Sequence, residues 1–484
     1  MRLFKYIFAP HPKVTDFSIT VHDGRTRLPY RWVLGCGFIA LFLAIIALES
    51  GQFADSIPPL KQPVLRFTGL LVLAGLAFFY LSELIQFVRS GKRVMLVTLL
   101  LGALLRIAML FSTPILEVDF NRYLWDGAVV ANGMNPYAYS PEVVLSGENV
   151  PQELSDLAQQ PGSTIGNINH AYLRTIYPPL TQLFFAAVYF IQPWRILAWQ
   201  FLLFCADFAT LLLIFALLRQ LDLSPLWAAI FWLNPLYIKE IANSAHMDAL
   251  IFPFLLAALL FQIRKKWFWA MVFLALSAGV KIWTIILLPL FLREIGWHWR
   301  KQFVAICVFG VVCAALLSPM LLTGLDQQAG IAAYANRWEL NDSAFQIIFW
   351  LTEPVVEWFG YHPGHAQQMS RYATAALLLI WLAIVFFKPS KSPLQFIDHC
   401  LLVVAALFLL SPTQFPWYSL WLVPLLVFSP RKPLLLLTVL LPLYYLWYHF
   451  EPRNQLAIFE NGIVWLEFVP VWLWLVWEWR FSEG

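Results

Sequence analysis

The chain has 484 residues, of which 60% are hydrophobic, 17% aromatic and only 12% charged, with a formal net charge of +4. A soluble domain carries about 25% charged residues, so a water-soluble fold of this composition would expose large apolar surface. The balance excludes that class, gives no basic surface for nucleic acid, and points to the bilayer as solvent. Cys36, Cys205, Cys307, Cys313 and Cys400 all lie in apolar runs without a CxxC pair. They read as small core hydrophobes, not as a disulfide or zinc framework.

Met1 to Arg31 is basic and lacks an apolar core, so it reads as a cytoplasmic tail and not as a cleavable signal peptide. A spanning helix needs about 20 mainly apolar residues. Trp32–Glu49, Val64–Val88 and Val94–Ile115 qualify. Lys and Arg concentrate in cytoplasmic loops. Ser50–Pro63 is then outside, Arg89, Lys92 and Arg93 are inside, and the third helix delivers Glu117 and Asp119 to the outer face. A polar loop follows to Ile176. The apolar run from Tyr177 opens on two prolines, and counting it as a span would put Arg264, Lys265 and Lys266 outside. It is read as a helix lying on the outer surface.

Later spans are Ile196–Leu218, Pro225–Ile238, Ala249–Ile263, Trp267–Val280, Ile282–Leu292 and Phe303–Leu322. The two flanking Lys281 are short. A second outer loop, Thr323–Arg371, contains an amphipathic segment at Phe345–Phe359. Tyr372–Phe387, Phe396–Leu410, Trp417–Phe428, Pro433–Tyr448 and Ile463–Trp479 complete the chain. The expected architecture is an all-α polytopic bundle of about 14 spans with both termini cytoplasmic. It divides into residues 1–93, a tail plus two helices, and residues 94–484, a membrane-embedded module. That module carries outer loops at 116–195 and 323–371.

Polar groups gather at the expected outer face in four places. The first, Glu117 to Tyr139, opens on two carboxylates and adds Arg122, Tyr123 and Asp126. Asp119, Arg122 and Asp126 have the spacing of one helical face. A helix cap with a solvated ion pair is the plain alternative. Gly133, Asn135-Pro136 and Pro141 mark turns, which places Tyr137 and Tyr139 on a tight loop. The second place is Tyr177-Pro178-Pro179-Leu180, where prolines open a helix. In the third, Asn234 to Asp248, Lys239, Glu240, His246 and Asp248 sit at a hairpin tip, a Lys239–Glu240 surface pair being the plain reading. The fourth is the rigid aromatic turn Ser411 to Tyr418. Lys281 also falls on this side. Arg106 and Asp207 lie inside spans, where a lone charge costs at least ~2.5–3.5 kcal/mol, so they are expected to pair with each other.

The run D-x-x-R-Y-L-W-D-G from Asp119, followed by G-x-N-P-Y-x-Y from Gly133, resembles bacterial polyprenyl-phosphate-mannose-dependent mannosyltransferases of the GT-C superfamily. Its layout is also similar to that of the first mannosyltransferase of GPI-anchor synthesis. N-P-L-x-x-K-E from Asn234 and P-T-x-F-P-W-Y from Pro412 are similar to later motifs of the family, and the resemblance runs in order from about Val94. The resemblance implies inverting transfer of a hexose, mannose first, from a lipid-phosphate donor to a glycan or lipid-linked acceptor. Transfer would take place on the outer face of the cytoplasmic (inner) membrane, with no nucleotide sugar. An acceptor hydroxyl needs a carboxylate base within about 3 Å, for which Asp119 is favoured and Glu117 is second. Arg122, Lys239, His246 and Lys281 are the candidates for stabilising the departing phosphate. Tyr123, Asp126, Asn135, Tyr137, Tyr177, Asp248, Trp417 and Tyr418 are the candidate substrate contacts. No cofactor is expected. Glu117, Asp119 and Asp248 have the oxygen ligands for a divalent ion, but a metal-free site is preferred. A lipid-linked sugar flippase and a non-catalytic assembly scaffold are the competing classes. Glucose and arabinose are the alternative sugars.

Overall fold

The structure, a computed structural model, describes residues 29–324, 326, 328–362 and 364–481. Most of the basic tail read from the sequence therefore lies outside the described residues. Among those described, the chain is helical, and one isolated bridge between Leu340 and Thr413 is the only β pairing. Among the described residues, nine helices are long and apolar enough to cross a bilayer, and one further pair, Pro235–Asn243 with Met247–Ile263, is bent by 101°. The helices α1 (Tyr30–Glu49), α2 (Val64–Leu84) and α3 (Lys92–Leu110) open the chain. Their outward residues, such as Leu34, Leu41, Leu73 and Leu104, are apolar and exposed. Hydrocarbon can cover such a surface and water cannot. The chain is a membrane protein.

After α3 come α4 (Phe120–Ala131), α5 (Pro141–Ser146) and α6 (Gln152–Ala158), which lie at one end of the bundle. The helix α7 (Pro179–Ile191) starts on Pro179 as expected and is too short to span. It packs closely on α4 because Gly127 has no side chain: a Cβ there would lie 2.5 Å from the carbonyl oxygen of Phe185. Next is the long span α8 (Ile196–Gln220).

The return path is broken. It contains α9 (Ala229–Trp232), α10 (Pro235–Ile238) and a π-helical turn, Lys239–Asn243. Asn234 caps α10 by accepting from the Tyr237 N–H at 3.0 Å, and Pro235 fills the first helical position. The chain then reverses through Ala245, whose φ is +61°, into α11 (Ile251–Ile263). This reversal makes the hairpin tip that carries His246 and Asp248. A second short hairpin follows, with α12 (Trp267–Val280) and α13 (Leu288–Ile295) on either side of Lys281 and a 3₁₀ segment.

The span α14 (Trp299–Leu322) leads to α15 (Gly330–Arg337) and α16 (Ala344–Trp358). The latter covers the segment expected to be amphipathic: Phe345 and Val356 are buried, and the exposed residues include the apolar Trp350, Leu351 and Trp358. The spans α17 (Gly364–Phe386) and α18 (Pro393–Leu410) follow. Pro416–Trp421 is 3₁₀ and continues into α19 (Val423–Leu426). The last elements are α20 (Lys432–Leu440), α21 (Trp447–Phe450), α22 (Leu456–Ile458) and α23 (Val464–Phe481).

The count of about 14 thus includes segments that are not single long helices. Pro225–Ile238, Trp267–Val280, Ile282–Leu292 and Trp417–Phe428 are short, and all but Trp267–Val280 are also broken by 3₁₀ turns. Hydropathy cannot distinguish a broken buried segment from a short span, because both are apolar throughout.

The end of the bundle away from the hairpin tips gathers basic residues. Arg264 bonds Gln220, and Arg431 pairs with Asp398 at 2.8 Å. Arg293 donates to the carbonyl oxygens of Val385 and Lys388. Mid-bundle, the predicted pair forms. Arg106 Nε meets Asp207 at 2.8 Å, with both side chains 1% exposed. Trp232 takes part twice: its carbonyl accepts from Arg106 and its ring lies 3.9 Å from the guanidinium.

Candidate active site

The sharp turn after α3 delivers the acidic stretch. The Asn243 side chain holds this turn by donating to the carbonyl of Thr113 (2.7 Å) and accepting from the N–H of Ile115 (3.0 Å). Leu116 then adopts φ +60°, a left-handed conformation that a branched side chain takes up only when its surroundings impose it. Glu117 comes out buried, and Asp119 precedes the first turn of α4 with its side chain 31% exposed.

A cleft of about 780 Å³ opens at this end of the bundle. Nine residues singled out in the sequence line it: Glu117, Asp119, Arg122, Tyr123, Tyr177, Asp248, Lys281, Trp417 and Tyr418. They come from five separate stretches, and the fold brings those stretches together. Asp248 is fully engaged, because its Oδ1 accepts from Lys281 Nζ and from Trp421 Nε1, each at 2.6 Å. The Lys281 ammonium lies 4.5 Å from the Tyr418 ring centre and 5.1 Å from that of Trp421. This is a cation fixed against two aromatic faces. Arg122 lines the cleft but also clamps the loop, donating to the carbonyls of Leu173 (2.9 Å) and His170 (3.4 Å).

Five of the expected residues stand outside the cleft wall. Asp126 is buried behind α4 and accepts from Gln182 at 3.1 Å. Burial pushes its carboxyl up, while Arg122 and the hydrogen bonds from Thr175 and Gln182 oppose the rise. Asn135 Oδ1 accepts from the Tyr137 N–H, and the Tyr137 hydroxyl donates to the carbonyl of Tyr177 at 2.7 Å. These three residues shape the loop that supports Tyr177. Lys239 and His246 lie one layer below the cleft. The Lys239–Glu240 pair forms at 3.4 Å with both side chains fully buried, so it is not a surface pair. Tyr445 bridges the two: Lys239 donates to its hydroxyl, which donates to Glu240.

Sequence reasoning missed several contributors. Trp421, which bonds Asp248, stacks on Trp283 at 4.9 Å between ring centres, and both line the cleft. Trp421 follows Tyr418 by three residues, one turn of a 3₁₀ helix, so the aromatic turn carried a usable signal. Tyr334, Arg337 and Trp338 of the second loop also line the cleft. Nothing local in that loop marks them. Burial raises the Glu117 carboxyl well above its usual range. Lys239 opposes the rise, and Glu240 and Asp119 add to it. Glu117 Oε1 has no hydrogen-bond partner among the described residues. Among those residues, no three His, Cys, Asp or Glu side chains form a group able to hold a metal ion.

An all-helical membrane bundle whose rim cleft combines an open carboxylate, a fixed cation and stacked aromatics has the makings of a membrane glycosyltransferase. The chain belongs to the alpha-(1→6)-mannopyranosyltransferase family: the model of that family's N-terminal domain matches residues 38–300, more than half of the chain. It is therefore a hexosyltransferase of the mannosyltransferase class, as the GT-C resemblance of the acidic motif implies. The matched stretch takes in most of α1 and all of α2, as well as Asp119, Asp248 and Lys281. No curated protein and no solved structure matched the chain.

Proposed function

We propose that the protein transfers mannose from a polyprenyl-phosphate donor to a hydroxyl of a glycan or lipid-linked acceptor, with inversion at the anomeric carbon. Inversion of a β-linked donor gives an α product, and the family description makes a 6-hydroxyl the preferred acceptor position. One observation carries the reading: Asp119 and Lys281 line a single cleft in a membrane bundle, and Asp119, 31% exposed where Glu117 is buried, bonds neither its own helix nor a cation of the wall.

Asp119 takes the acceptor proton as the new C1–O bond forms. The C1–O bond to phosphate breaks and leaves its electron pair on the polyprenyl phosphate. Lys281, held by Asp248, stabilises that growing charge, and Arg122 assists. Tyr177, Trp417 and Tyr418 offer faces to the sugar and to the first isoprene units. Ile282 and Trp283 supply an apolar wall suited to a lipid donor. The basic residues at the opposite end support a cytoplasmic assignment for that end and an outward-facing cleft in the inner membrane. Ionisable groups gather at the rim, whereas a transporter would carry them near the midplane. The Arg106–Asp207 pair is the mid-bundle exception, and it is closed.

The test is to incubate purified protein with polyprenyl-phosphate mannose or with a nucleotide-linked mannose, in each case with a mannoside acceptor. The reading expects an α-(1→6) product from the lipid donor alone. Transfer from the nucleotide sugar would overturn it.

A further inference from the structure

The expected role of His246 was contact with the donor phosphate, but its side chain is 1% exposed and does not line the cleft. It sits directly behind Asp119. Its Nδ1 is 4.0 Å from Asp119 Oδ2, and its Nε2 is 3.3 Å from Glu240 Oε2. The ring lies flat against Trp417, with centres 4.3 Å apart and planes at 15°. On its other side Trp417 stacks on Phe415, also at 4.3 Å. The imidazole is therefore fixed in plane by a stack of rings and faces a carboxylate at each nitrogen. Glu240 is itself anchored by Lys239 and Tyr445. The backbone contributes too, because the His246 N–H donates to the Glu240 carbonyl at 3.1 Å.

A carboxylate thus faces each ring nitrogen, although neither contact closes a hydrogen bond: Nδ1 stands 4.0 Å from Asp119, and Nε2 and Glu240 Oε2 are without hydrogen-bond partners among the described residues. A histidine used only for packing would not need carboxylates at both nitrogens. A phosphate ligand would have to reach the cleft.

We infer that His246, backed by Glu240, is the positioning residue that holds Asp119 in its reactive orientation during mannosyl transfer. The inference rests on the proposed base role of Asp119 and extends it one layer inward. His246 touches neither substrate. It acts by fixing the direction of the Asp119 carboxylate. A displaced base loses catalysis more readily than it loses substrate binding.

The test compares His246→Gln with His246→Phe. Glutamine keeps one donor toward Asp119 and loses the stack. Phenylalanine keeps the stack and offers Asp119 nothing. Turnover should fall about tenfold in His246→Gln and about a hundredfold in His246→Phe, within the range that a positioned base contributes. The donor KM should stay within about twofold in both, since no binding contact is removed. The reverse order, with phenylalanine the better replacement, would make His246 a packing residue. A raised donor KM with retained turnover would make it a phosphate contact. Should neither variant accumulate, Glu240→Gln gives the same readout from behind the ring. Loss of all three proteins from the membrane would assign the cluster to the scaffold and overturn the inference. Asp119→Asn, assayed alongside, separates the two claims. If it turns over normally, the base assignment fails. If it is inactive while both His246 variants are normal, only the present inference fails.

Discussion

Two buried polar clusters sit in this bundle, and they are built differently. Around Arg106, one cation meets one carboxylate. Asp207 accepts from Arg106 at 2.8 Å and from the Tyr237 hydroxyl at 2.7 Å, and the guanidinium is capped by the Trp232 ring. Neither partner lines the cleft. Around Asp119, three carboxylates meet one lysine and one histidine, and the cluster borders a cleft of about 780 Å³. Glu117 Oε1, Glu240 Oε2 and His246 Nε2 have no hydrogen-bond partner among the described residues. The first cluster also leaves one buried atom, Arg106 Nη2, without a hydrogen-bond partner among those residues. What separates the two is charge balance and access: the first pairs one cation with one carboxylate away from the cleft, as a scaffold requires, and the second carries an excess of acid at the edge of the cleft, as a site for substrate requires.

The contrast can be tested by mutation, because each cluster should fail in its own way. The largest effect is expected at Asp119. Asp119→Asn keeps the shape and removes the base, and turnover of a lipid-linked mannose donor should drop by about a thousandfold or more, within the range spanned by a general base. Radiolabelled product formation by purified protein measures it, and protein abundance should be unchanged.

The next effect concerns stability. Arg106→Met leaves Asp207 as an uncompensated charge inside the bundle, a change that costs about 3–5 kcal/mol in comparable buried pairs. Membrane abundance and melting temperature should both fall. The double variant with Asp207→Leu should recover much of the loss, since replacing a whole buried pair with apolar groups is often neutral.

Lys281 stands between the two cases. Lys281→Met removes the fixed cation and leaves Asp248 bonded to Trp421. Turnover should fall about tenfold to a hundredfold, as when one charge-stabilising group is lost, and melting should fall by less than in Arg106→Met, because Lys281 is partly exposed and Asp248 keeps its Trp421 bond. A steady-state comparison of kcat and stability will separate it from Arg106.

The smallest effect is expected at Asp342 in the second loop. Burial, helped by the nearby Glu339, raises its carboxyl to about 7, against opposing contributions from a Gln346 backbone hydrogen bond and from Arg371. A raised acid favours the folded state while it is protonated. Its contribution is full below the ordinary carboxylate range, about 4, and is lost as pH rises through about 7. Asp342→Asn should therefore raise the melting temperature at about pH 8 by a few degrees and do little at about pH 4. An equal gain at both pH values would contradict the burial argument.

Much of this organisation was legible in the sequence, for physical reasons. Long apolar runs show spans because the bilayer demands them. The Arg106–Asp207 pair was legible because two lone charges in hydrocarbon must find each other. The acidic stretch stood out because ionisable groups at a membrane rim are rarely idle. The layering of the site was not legible. Hydropathy cannot show that Lys239 and Glu240 are fully buried, because the sharp reversal at Ala245 and the π-helical turn decide that. Nor could spacing show that His246 lies behind Asp119, since they are brought together from 127 positions apart in the chain. Asp126, Asn135 and Tyr137 carried the motif's signature, yet they support the loop and do not line the cleft. A motif records the residues that shape a site together with those that form its wall.

The most direct measurement is turnover per folded molecule for the native protein, Asp119→Asn and Arg106→Met, using a lipid-linked mannose donor and counting folded protein by its monodisperse fraction. The account predicts that Asp119→Asn is folded and inactive, while Arg106→Met is scarce but turns over at the native rate per folded molecule. An active Asp119→Asn, or a well-folded but inactive Arg106→Met, would contradict the division between an open catalytic cluster and a closed structural one.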